Sequence, residues 1–568
     1  MIASSEANAP GSERGRPSLG RAGAVAAILG VLFVAAAFRF VRLDSVPPAI
    51  NQDEAERAYD AFCLRHTGTD FHGQRWPIFF RAFGVFDYPP GPYIYALVPV
   101  QSALGMSVWT TRLPAASLGT LNVWLLYLLV KRFYGRQAGA LAALLLAVSP
   151  WHVHLSRLAF EVSLCIPLIT LVMLLLALGA GRRSATEHPS RCHGGAAVLF
   201  LAGVIAGVTF WAYNAMRVFV PLLLLGTAWV YREQVRALLR DSSGRRRAVA
   251  WACGFSVGIA PFVWACIATP SFVWGRARAV SVFGQSDTLA AAFRSLASGY
   301  LTHLSPGYLF LRGDASLVQS VPGSGQLDAC CALLLPLGLY RVIRRRRTER
   351  FGLVVLAWIL AGPVPAAMAQ LEVGSGHALR SAGSVPAYAI LAALGLDMIL
   401  AAAGRYSRRA YRTAVAVSAG LVAACTVRFA YLFFVAYPPA ASAAFLAEWP
   451  PVLEEIKRRL GEYDAVVLPF AGQTGMLYLF TAAVDPQEWF GLPHHIEEKD
   501  GNDFILRAGK VFFHPGHFLE AGVKDLPPNA RVLIGGFPVP PGGAEIRRFY
   551  DAGGNPFLSL YEIRLRRG

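Results

Sequence analysis

Long runs of apolar residues recur along the first three quarters of the chain. Runs of roughly 17 to 23 such residues are long enough to span a bilayer as an α-helix. We count eleven of them, at residues 22–43, 112–131, 137–153, 161–181, 195–212, 214–231, 249–268, 329–343, 351–370, 384–403 and 413–435. The pattern predicts a mainly α, polytopic membrane domain over residues 22–435.

Basic clusters fall in every second connection between these runs, at residues 131–136, 182–191, 232–247, 341–350 and 405–412. Because positive residues are retained in cytoplasmic loops, these connections and the N-terminus are expected in the cytoplasm. The main external connections are then residues 44–111, 269–328 and 371–383, and two shorter ones lie between the third and fourth and between the fifth and sixth spans. Eleven crossings also place residues 436–568 outside, so we predict a multi-pass protein of the cell (inner) membrane with an external C-terminal domain.

Two segments leave alternatives open, the first apolar run and Tyr93–Leu104. Residues 1–21 are polar and rich in small residues, which predicts a disordered cytoplasmic tail. The first apolar run could be a signal peptide, but it is long for one and arginines follow it, which favours an uncleaved helix.

Tyr93–Leu104 could be a twelfth span, but it is short and contains Pro99, and a crossing there would break the charge alternation. We interpret it as a helix lying on the outer membrane surface.

Composition agrees with this class. Hydrophobic residues form 55% of 568 positions, and the mean hydropathy is +0.44, which is too apolar for a soluble protein of this size. The net charge of +18 could suggest nucleic acid, but the arginines lie in loops between spans, so no nucleic-acid partner is expected. The eight cysteines show no zinc spacing and no disulfide framework.

Residues 436–568 change to a mixed polar and apolar composition. EWPPVLEEIKRRLGEYD has the period of an amphipathic helix, while DAVVLPF, RVLIGGF and LSLYEIRLR indicate strands separated by Pro and Gly turns. We predict a small α/β domain.

Acidic residues gather in the first external loop. NQDEAERAYDA contains the adjacent carboxylates Asp53 and Glu54, with Tyr59 one turn on, and Tyr88 follows in FDYPPGPY. Carboxylates beside a membrane are costly unless they are solvated or functional. The simplest structural interpretation is that Asp53 caps a helix and Glu54 favours its N-terminal dipole. The functional interpretation makes Asp53 a base.

Cations gather at the other external helix ends. SPWHVHLSRLAFE carries His154, Arg157 and Glu161, where an i,i+4 ion pair is the simplest interpretation. FWAYNAMRV, a very tight turn, carries Tyr213 and Arg217, and the arginine could merely snorkel.

Two further external segments carry histidine. His377 and Arg380 in SGHALRSAGSVP run against the positive-inside bias, which favours an anionic partner such as a phosphate. His303 lies in YLTHLSPGYLFLRGD, whose aromatic residues are also typical of an interfacial belt.

These motifs, in this order, resemble the GT-C superfamily of membrane glycosyltransferases. The resemblance is to the branch of bacterial protein O-mannosyltransferase-like and lipid A aminoarabinose transferase-like enzymes. It rests on DExxxAYDA, YPPGPYIYAL, RLPAASLGTLNVWLLYLLVKRFYG, SPWHVHLSRLAFE, YLTHLSPGYLFLRGD and GHALRSAGSVPAYA, and it covers roughly residues 30–400. The resemblance implies a GT-C fold and a polyprenyl-phosphate sugar donor.

The resemblance also implies roles for individual residues. The expected catalytic residues are Asp53, as the base, and its neighbour Glu54. Glu161 is the third, at a position where many relatives have Asp. The residues expected at the donor phosphate are Arg157, Tyr213, Arg217, His377 and Arg380. Other expected pocket residues are Tyr59, Tyr88, His154 and His303.

The expected reaction is inverting transfer of a sugar to an acceptor hydroxyl on a protein, lipid or glycan. No cofactor is expected; a divalent cation is open but not favoured, and no metal ligands are assigned. The alternatives are a transporter or flippase of lipid-linked sugars, an O-antigen ligase-like enzyme and a non-catalytic membrane scaffold. A transporter should carry internal repeats and polar residues near the bilayer midplane, which the Ala, Leu and Val helix centres do not provide.

Overall fold

The computed structural model describes residues 21–84, 87–180, 194–268, 281–369, 376–499, 502–514, 526–536 and 542–565. The predicted disordered tail, except for Arg21, and the basic cluster at 182–191 lie outside these residues. The described chain forms two compact units. One comprises residues of 1–41 and 115–433, and the other comprises residues of 42–114 and 434–568.

The first unit is helical. Its longer helices are Arg21–Phe40, Val108–Val148 (from Ala115 onward), Glu161–Gly179, Gly194–Trp211, Met216–Val230, Ser242–Ala268, Leu289–Leu304, Cys331–Arg344, Phe351–Ala361, Val385–Tyr406 and Arg408–Tyr431. Its shorter helices are Pro150–Leu155, Arg232–Arg240, Val282–Gln285, Pro363–Met368 and Ala378–Ser381, with a π-helical turn at Gly307–Leu311, a 3₁₀ turn at Ala382–Ser384 and a second π turn at Leu432–Ala436 where the unit ends.

Each of the eleven predicted spans coincides with a helix. The second and third predicted spans form one helix with a kink at Gly135, where φ is 87° and the backbone is not helical. Six described helical segments are long and apolar enough to cross a membrane, and three more apolar helices are shorter. The chain is an integral membrane protein, whereas the count of eleven crossings stays a prediction.

Glycine allows close packing of two of these helices. Gly194–Trp211 and Ser242–Ala268 meet through a small-xxx-small pair on each helix, the kind of surface that lets helix backbones approach in a membrane. The glycines in this contact are Gly203, Gly207, Gly254 and Gly258. A Cβ added at Gly254 would lie 2.0 Å from the Phe200 carbonyl oxygen.

The second unit is built on a seven-stranded mixed sheet. Its strands are β1 (Ala465–Pro469), β2 (His494–Lys499), β3 (Asn502–Ala508), β4 (Val511–His514), β5 (Arg531–Gly535), β6 (Ala544–Tyr550) and β7 (Pro556–Arg564), in the order β2-β3-β4-β1-β5-β7-β6. The central strand β1 pairs in parallel with β4 and β5, and the other pairs are antiparallel. The predicted strands correspond to β1, β5 and β7.

The helices of this unit come from both ends of the chain. They are Gln52–Thr67, Pro92–Leu104, the first turns of Val108–Val148, Tyr437–Ala441, Trp449–Arg459, Thr474–Ala482 and Pro486–Gly491, with 3₁₀ turns at Ala443–Phe445 and Leu460–Glu462. The predicted amphipathic helix is Trp449–Arg459, and Tyr93–Leu104 is helical as expected.

One hydrophobic core joins the first loop to the C-terminal sheet. Ala55 and Tyr59 of helix Gln52–Thr67 belong to the same buried cluster as Met476 and Phe480 of helix Thr474–Ala482. Phe71 belongs to it as well. Residues 42–114 therefore fold with residues 434–568 as one body.

We predict opposite effects for two glycine substitutions. Gly254→Ala should lower the melting temperature of the detergent-solubilised protein, because its methyl group meets a neighbouring backbone that cannot move aside. Gly420→Ala is the matched control. Nothing lies within 4 Å of its added Cβ, so it should leave stability unchanged or raise it by up to about 1 kcal/mol through helix propensity. A Gly254→Ala protein as stable as wild type would contradict the close contact.

Candidate functional site

The helix Gln52–Thr67 begins with a capping box. The side chain of Asn51 accepts a hydrogen bond from the Asp53 amide at 2.9 Å, and the Asn51 amide donates to Glu54 Oε2 at 3.1 Å. The expectation that Asp53 caps the helix is therefore wrong. Asn51 supplies the capping side chain of the first turn, so Asp53 is not the N-cap residue.

Glu54 is fully engaged by Arg112. Arg112 Nε donates to Glu54 Oε1 at 2.9 Å and Nη2 donates to Glu54 Oε2 at 2.8 Å, and neither side chain is exposed to solvent. The remaining donors of Arg112 bind the carbonyl oxygens of Leu43, Pro47 and Ala49. This bidentate pair gives Glu54 a structural role, which argues against its prediction as a catalytic group.

Asp53 lies in the first turn of the same helix and is partly buried. Its carbonyl oxygen accepts a hydrogen bond from Arg57 Nη1 at 2.5 Å, which completes the turn from the other side. The helix N-terminus carries a partial positive charge that favours the ionised form of a carboxylate placed there. Of the adjacent acidic pair, Asp53 is the member suited to chemistry.

Three carboxyl groups that are not among the predicted site residues are buried in this helix and in the segment after it. Glu56, Asp60 and Asp70 all have 0% exposure. Asp60 Oδ1 accepts the Phe71 amide at 3.0 Å, and Asp70 Oδ1 accepts the amide of Gln74 at 2.7 Å. The available signal was the spacing of Asp53, Glu56 and Asp60, which places them along one face of a helix.

Burial dominates the electrostatics of this acidic group. It raises the pKa of Asp70 from 3.8 to about 6, against three backbone hydrogen bonds that lower it. Burial also lowers the pKa of the neighbouring His72 to about 4, so that imidazole is neutral at pH 7.

The two tyrosines predicted near the site lie in different surroundings. Tyr59 is in the hydrophobic core, with its hydroxyl donating to the Val484 carbonyl oxygen at 3.0 Å. It therefore anchors the helix, and its placement among pocket residues was wrong. Tyr88 is partly buried in a loop closed by the Phe79 and Pro90 bridge. Its role as a pocket residue stays a prediction.

In the first unit, a short segment holds His377 and Arg380. The His377 amide donates to His303 Nε2 at 2.9 Å, and the Ala378 amide donates to Asp314 Oδ2 at 2.7 Å. Tyr308 packs so closely that a Cβ added at Gly376 would lie 2.3 Å from its ring. These contacts fix the segment from both sides.

His303 therefore serves as support. Its Nδ1 lies 2.6 Å from the Gly299 carbonyl oxygen and its Nε2 accepts the amide of His377, so both ring nitrogens are used. His377 Nδ1 has no hydrogen-bond partner among the described residues. Burial, with Arg380 and His303 adding to it, lowers the pKa of His377 well below its usual range. The segment thus presents a neutral imidazole beside one guanidinium, instead of the two cations expected.

Arg217 begins a helix that touches this segment. The connection between Trp211 and Met216 is four residues long and contains Tyr213, which matches the predicted tight turn. Two residues beyond Arg217, the ring of Phe219 lies 2.9 Å from a Cβ added at Gly383. The Arg217 guanidinium lies over the Phe262 ring at 4.8 Å. The fold therefore brings the helix of Arg217 against the segment of Arg380.

The predicted helical spacing of Arg157 and Glu161 is wrong. One helix ends at Leu155 and the next begins at Glu161, so Arg157 lies in the turn between them. Arg157 is fully buried and donates to the carbonyl oxygens of Phe38 at 2.7 Å and Val41 at 2.8 Å. This argues against Arg157 as a phosphate ligand. Glu161, 4% exposed, opens its helix, and its catalytic role stays a prediction.

His154 is also a buried support. It has 1% exposure, and its Nε2 lies 2.9 Å from the Val318 carbonyl oxygen. On the same short helix, Trp151 Nε1 donates to the Ala378 carbonyl oxygen at 3.1 Å, which holds the His377 segment from a third direction. His154 is thus a buried supporting residue, and its role as a pocket residue stays a prediction.

Each unit offers one kind of chemistry. The second unit presents a carboxylate at a capped helix N-terminus, which can accept a proton. The first unit presents a guanidinium and a neutral imidazole on a braced segment, which can bind an anion. In the described residues no group of three or more His, Cys, Asp or Glu side chains is arranged to hold a metal ion. Metal independence stays a prediction.

Comparison with known proteins identifies the fold. Residues 88–264, less than a third of the chain, match the family model described as dolichyl-phosphate-mannose-protein mannosyltransferase. No curated protein gives a significant match.

Several solved structures are similar. ArnT from Cupriavidus metallidurans in the apo state gives a TM-score of 0.52 at 14% identity, covering 95% of this chain and 98% of ArnT. The same protein bound to undecaprenyl phosphate gives 0.50 at 13% identity, covering 94% and 97%. The Archaeoglobus fulgidus oligosaccharyltransferase, tethered to an acceptor peptide, gives a TM-score of 0.50 at 13% identity. That match covers 82% of this chain and 63% of the oligosaccharyltransferase.

The resemblance seen in the sequence motifs is confirmed: the chain has the fold of the GT-C superfamily of membrane glycosyltransferases. At these identities the solved structures establish the fold and leave the reaction to be argued from the residues.

We predict that the Arg112 and Glu54 pair stabilises the second unit. Glu54→Gln and Arg112→Met should each cost about 3–5 kcal/mol, because each leaves one charged or polar partner buried without its counterpart. The double variant should be less destabilised than the sum of the two. Thermal unfolding of the purified protein measures this, with Arg346→Gln on the exposed surface as the control. Additive single losses would contradict direct coupling.

Proposed function

We propose that this protein transfers a sugar from a polyprenyl-phosphate donor to an acceptor hydroxyl at the external face of the cell (inner) membrane. The observation that carries the proposal is the place of Asp53 in the first turn of a helix whose start is fixed by neighbouring residues. Glu54 is paired with Arg112, Asn51 is the N-cap residue, and Asp53 is the other acidic residue of the first turn. A carboxylate held in this way is suited to act as a base.

The donor phosphate is assigned to the braced segment of the first unit. Arg380 supplies charge, His377 supplies a neutral ring nitrogen and Arg217 supplies a second guanidinium. A phosphate is a good leaving group when guanidinium groups neutralise the charge that develops on it. Undecaprenyl phosphate bound to ArnT and the acceptor peptide tethered to the oligosaccharyltransferase support a lipid-linked donor and a separate acceptor.

The reaction follows from these roles. The acceptor oxygen forms a bond to the anomeric carbon while the bond from that carbon to the phosphate oxygen breaks on the opposite face, which inverts the configuration. The hydroxyl proton passes to Asp53, and the electron pair of the broken bond leaves with the phosphate. The proposal requires neither a cofactor nor a dedicated general acid. The sugar is a hexose or pentose, and the acceptor is a protein, lipid or glycan.

We predict that Asp53→Asn lowers transfer by roughly a hundredfold or more, the usual contribution of general base catalysis. The assay incubates purified protein with radiolabelled polyprenyl phosphate sugars and envelope extracts and measures label in the acceptor. Glu488→Gln, an exposed acid of the same unit, is the control and should transfer at the wild-type rate. Equal transfer by wild type and Asp53→Asn would remove Asp53 from the mechanism.

We predict that Arg380→Gln weakens use of the donor by roughly 10- to 100-fold in apparent KM, since it removes a charged hydrogen bond to phosphate. The donor concentration is varied at fixed acceptor in the same assay. The matched control is Arg346→Gln, which is exposed and lies in a predicted cytoplasmic cluster. An unchanged KM for Arg380→Gln would exclude this residue from the donor site.

A further inference from the structure

Three carboxyl groups lie along one face of the helix Gln52–Thr67. Asp53, Glu56 and Asp60 are spaced i, i+3 and i+7, so they follow one another along the helix axis. Asp53 is partly buried, whereas Glu56 and Asp60 have 0% exposure. The reaction proposed above uses only the first of the three. The other two are acids kept out of water at a cost that needs a reason.

Glu56 and Asp60 each have one oxygen with a partner and one without. Glu56 Oε2 lies 3.5 Å from Arg57 Nη1, and Asp60 Oδ1 accepts the Phe71 amide at 3.0 Å. Glu56 Oε1 and Asp60 Oδ2 are fully buried and have no hydrogen-bond partner among the described residues. The two residues are four apart in one helix, which makes their side chains neighbours, and they interact with each other. Two carboxylates have only acceptors, so a hydrogen bond between them requires a proton on one.

The surrounding charges lead to the same conclusion. Glu56 interacts with Asp60, Arg57 and Asp53, and Asp60 interacts with Asp70, Glu56 and Arg57. Cys63 and Tyr59 on the same helix are neutral, because burial raises the pKa of both. From neighbouring segments, Asp485 acts on Cys63 and Arg81 acts on Asp70. Arg57 acts on both Glu56 and Asp60. Its guanidinium carries one positive charge, fewer than two carboxylates would need.

We propose that Glu56 and Asp60 share a single proton, and that this acid–carboxylate pair is a positioning device that keeps Asp53 ionised and ready to accept a proton. The part concerning Asp53 rests on the function proposed above. The shared proton itself does not, because it follows from the geometry of the pair alone.

The proton is assigned to Glu56, because Asp60 Oδ1 accepts the Phe71 amide at 3.0 Å and this hydrogen bond favours the Asp60 carboxylate. Burial, and then Asp60, raise the pKa of Glu56 well above its ordinary 4.5. Burial also raises the pKa of Asp60, but there the hydrogen bond from Glu56 works in the opposite direction. Glu56 Oε1 then donates to Asp60 Oδ2, which satisfies both orphan oxygens with one hydrogen.

The consequence for Asp53 follows from reciprocity. The charge of Asp53 acts on Glu56, so an ionised Glu56 would act equally on Asp53 and favour its protonated form. With its proton, Glu56 adds no negative charge one turn away from the proposed base. The pair therefore protects the fraction of Asp53 that can accept a proton at neutral pH.

The pH dependence has a definite sign. A carboxyl whose pKa is raised by folding is more stable in the folded protein as the neutral acid. The contribution of Glu56 to the stability of wild type should therefore be fully present below the ordinary pKa of 4.5 and should be lost as the pH rises through the folded pKa. Glu56→Gln keeps a donor toward Asp60 but cannot ionise, so it should lose this dependence.

The first test is independent of transfer activity. Infrared spectra of the full-length protein at neutral pH should contain the carbonyl band of a buried protonated carboxyl group. Its intensity should fall in Glu56→Gln, and in Asp60→Asn the band should weaken or move because the partner is lost. Asp53→Asn and the exposed control Glu488→Gln should leave it unchanged. A wild-type spectrum equal to that of Glu56→Gln would overturn the shared proton.

The second test measures melting temperature and transfer against pH. The melting temperature of Glu56→Gln should exceed that of wild type by a widening gap as the pH rises from about 5 to about 8. Its transfer rate at neutral pH should stay within about threefold of wild type, and the acid limb of its pH–rate profile should coincide with that of wild type, because Glu56 is neutral in both. A constant gap in melting temperature would overturn the shared proton. An acid limb that moves to lower pH in Glu56→Gln would show that Glu56 is charged in wild type and would overturn the effect on Asp53.

The experiments distinguish failure of the proposed base, Asp53, from failure of the proposed proton shared by Glu56 and Asp60. If Asp53→Asn transfers sugar as well as wild type, the proposed base is wrong, whereas the infrared band still decides the Glu56 and Asp60 pair. If the band is absent while Asp53→Asn is inactive, the base stands and the pair does not.

Discussion

The buried ion pair between Arg112 and Glu54 is the interaction on which the proposed active helix depends. Arg112 contributes hydrogen bonds to both carboxylate oxygens and to three carbonyl groups of the preceding loop. A buried pair of this kind must recover a large desolvation cost, and it does so only when nearly every donor is used. The hydrogen bonds of Arg112 therefore fix the preceding loop and the first turn of the helix relative to each other. Asp53 lies in that first turn, so its position is fixed as well.

The rest of the second unit holds the other end of this helix. Tyr59 donates to the carbonyl oxygen of Val484, and Trp489 Nε1 donates to that of Phe71 at 2.9 Å. Arg81 and Asp503 add an ion pair at 2.7 Å. Segments separated by some 400 positions in the chain thus share one core. The C-terminal α/β region therefore has at least one role that composition alone did not suggest, because the helix of the proposed base is packed against it.

Local patterns in the sequence were sufficient for the helices and for part of the sheet. Apolar runs and basic connections located the membrane-spanning helices, since both signals act over short distances. Helix Leu289–Leu304, in a predicted external connection, was missed. The residues whose roles changed are those whose partners are distant. Glu54 was placed with the catalytic group because nothing near it in sequence reveals Arg112, and Tyr59 was placed in a pocket because its core neighbours lie beyond residue 450. Strands β2, β3, β4 and β6 were missed for the same reason, because their pairing partners decide them.

The arginine and histidine side chains of the first unit differ in their burial and in their hydrogen-bond partners. Arg39 and Arg157 are fully buried and donate to carbonyl oxygens around the end of helix Arg21–Phe40, where the helix dipole favours a cation. Their charge is used in holding that helix end. His377 differs, because its surroundings favour the neutral ring and leave Nδ1 without a described partner. An anion bound at this segment would therefore draw its charge complement from guanidinium groups and its orientation from the imidazole. Arg380 also donates to a carbonyl oxygen, that of Ala369. It is only partly buried, so donor recognition is assigned to it and not to the fully buried arginines.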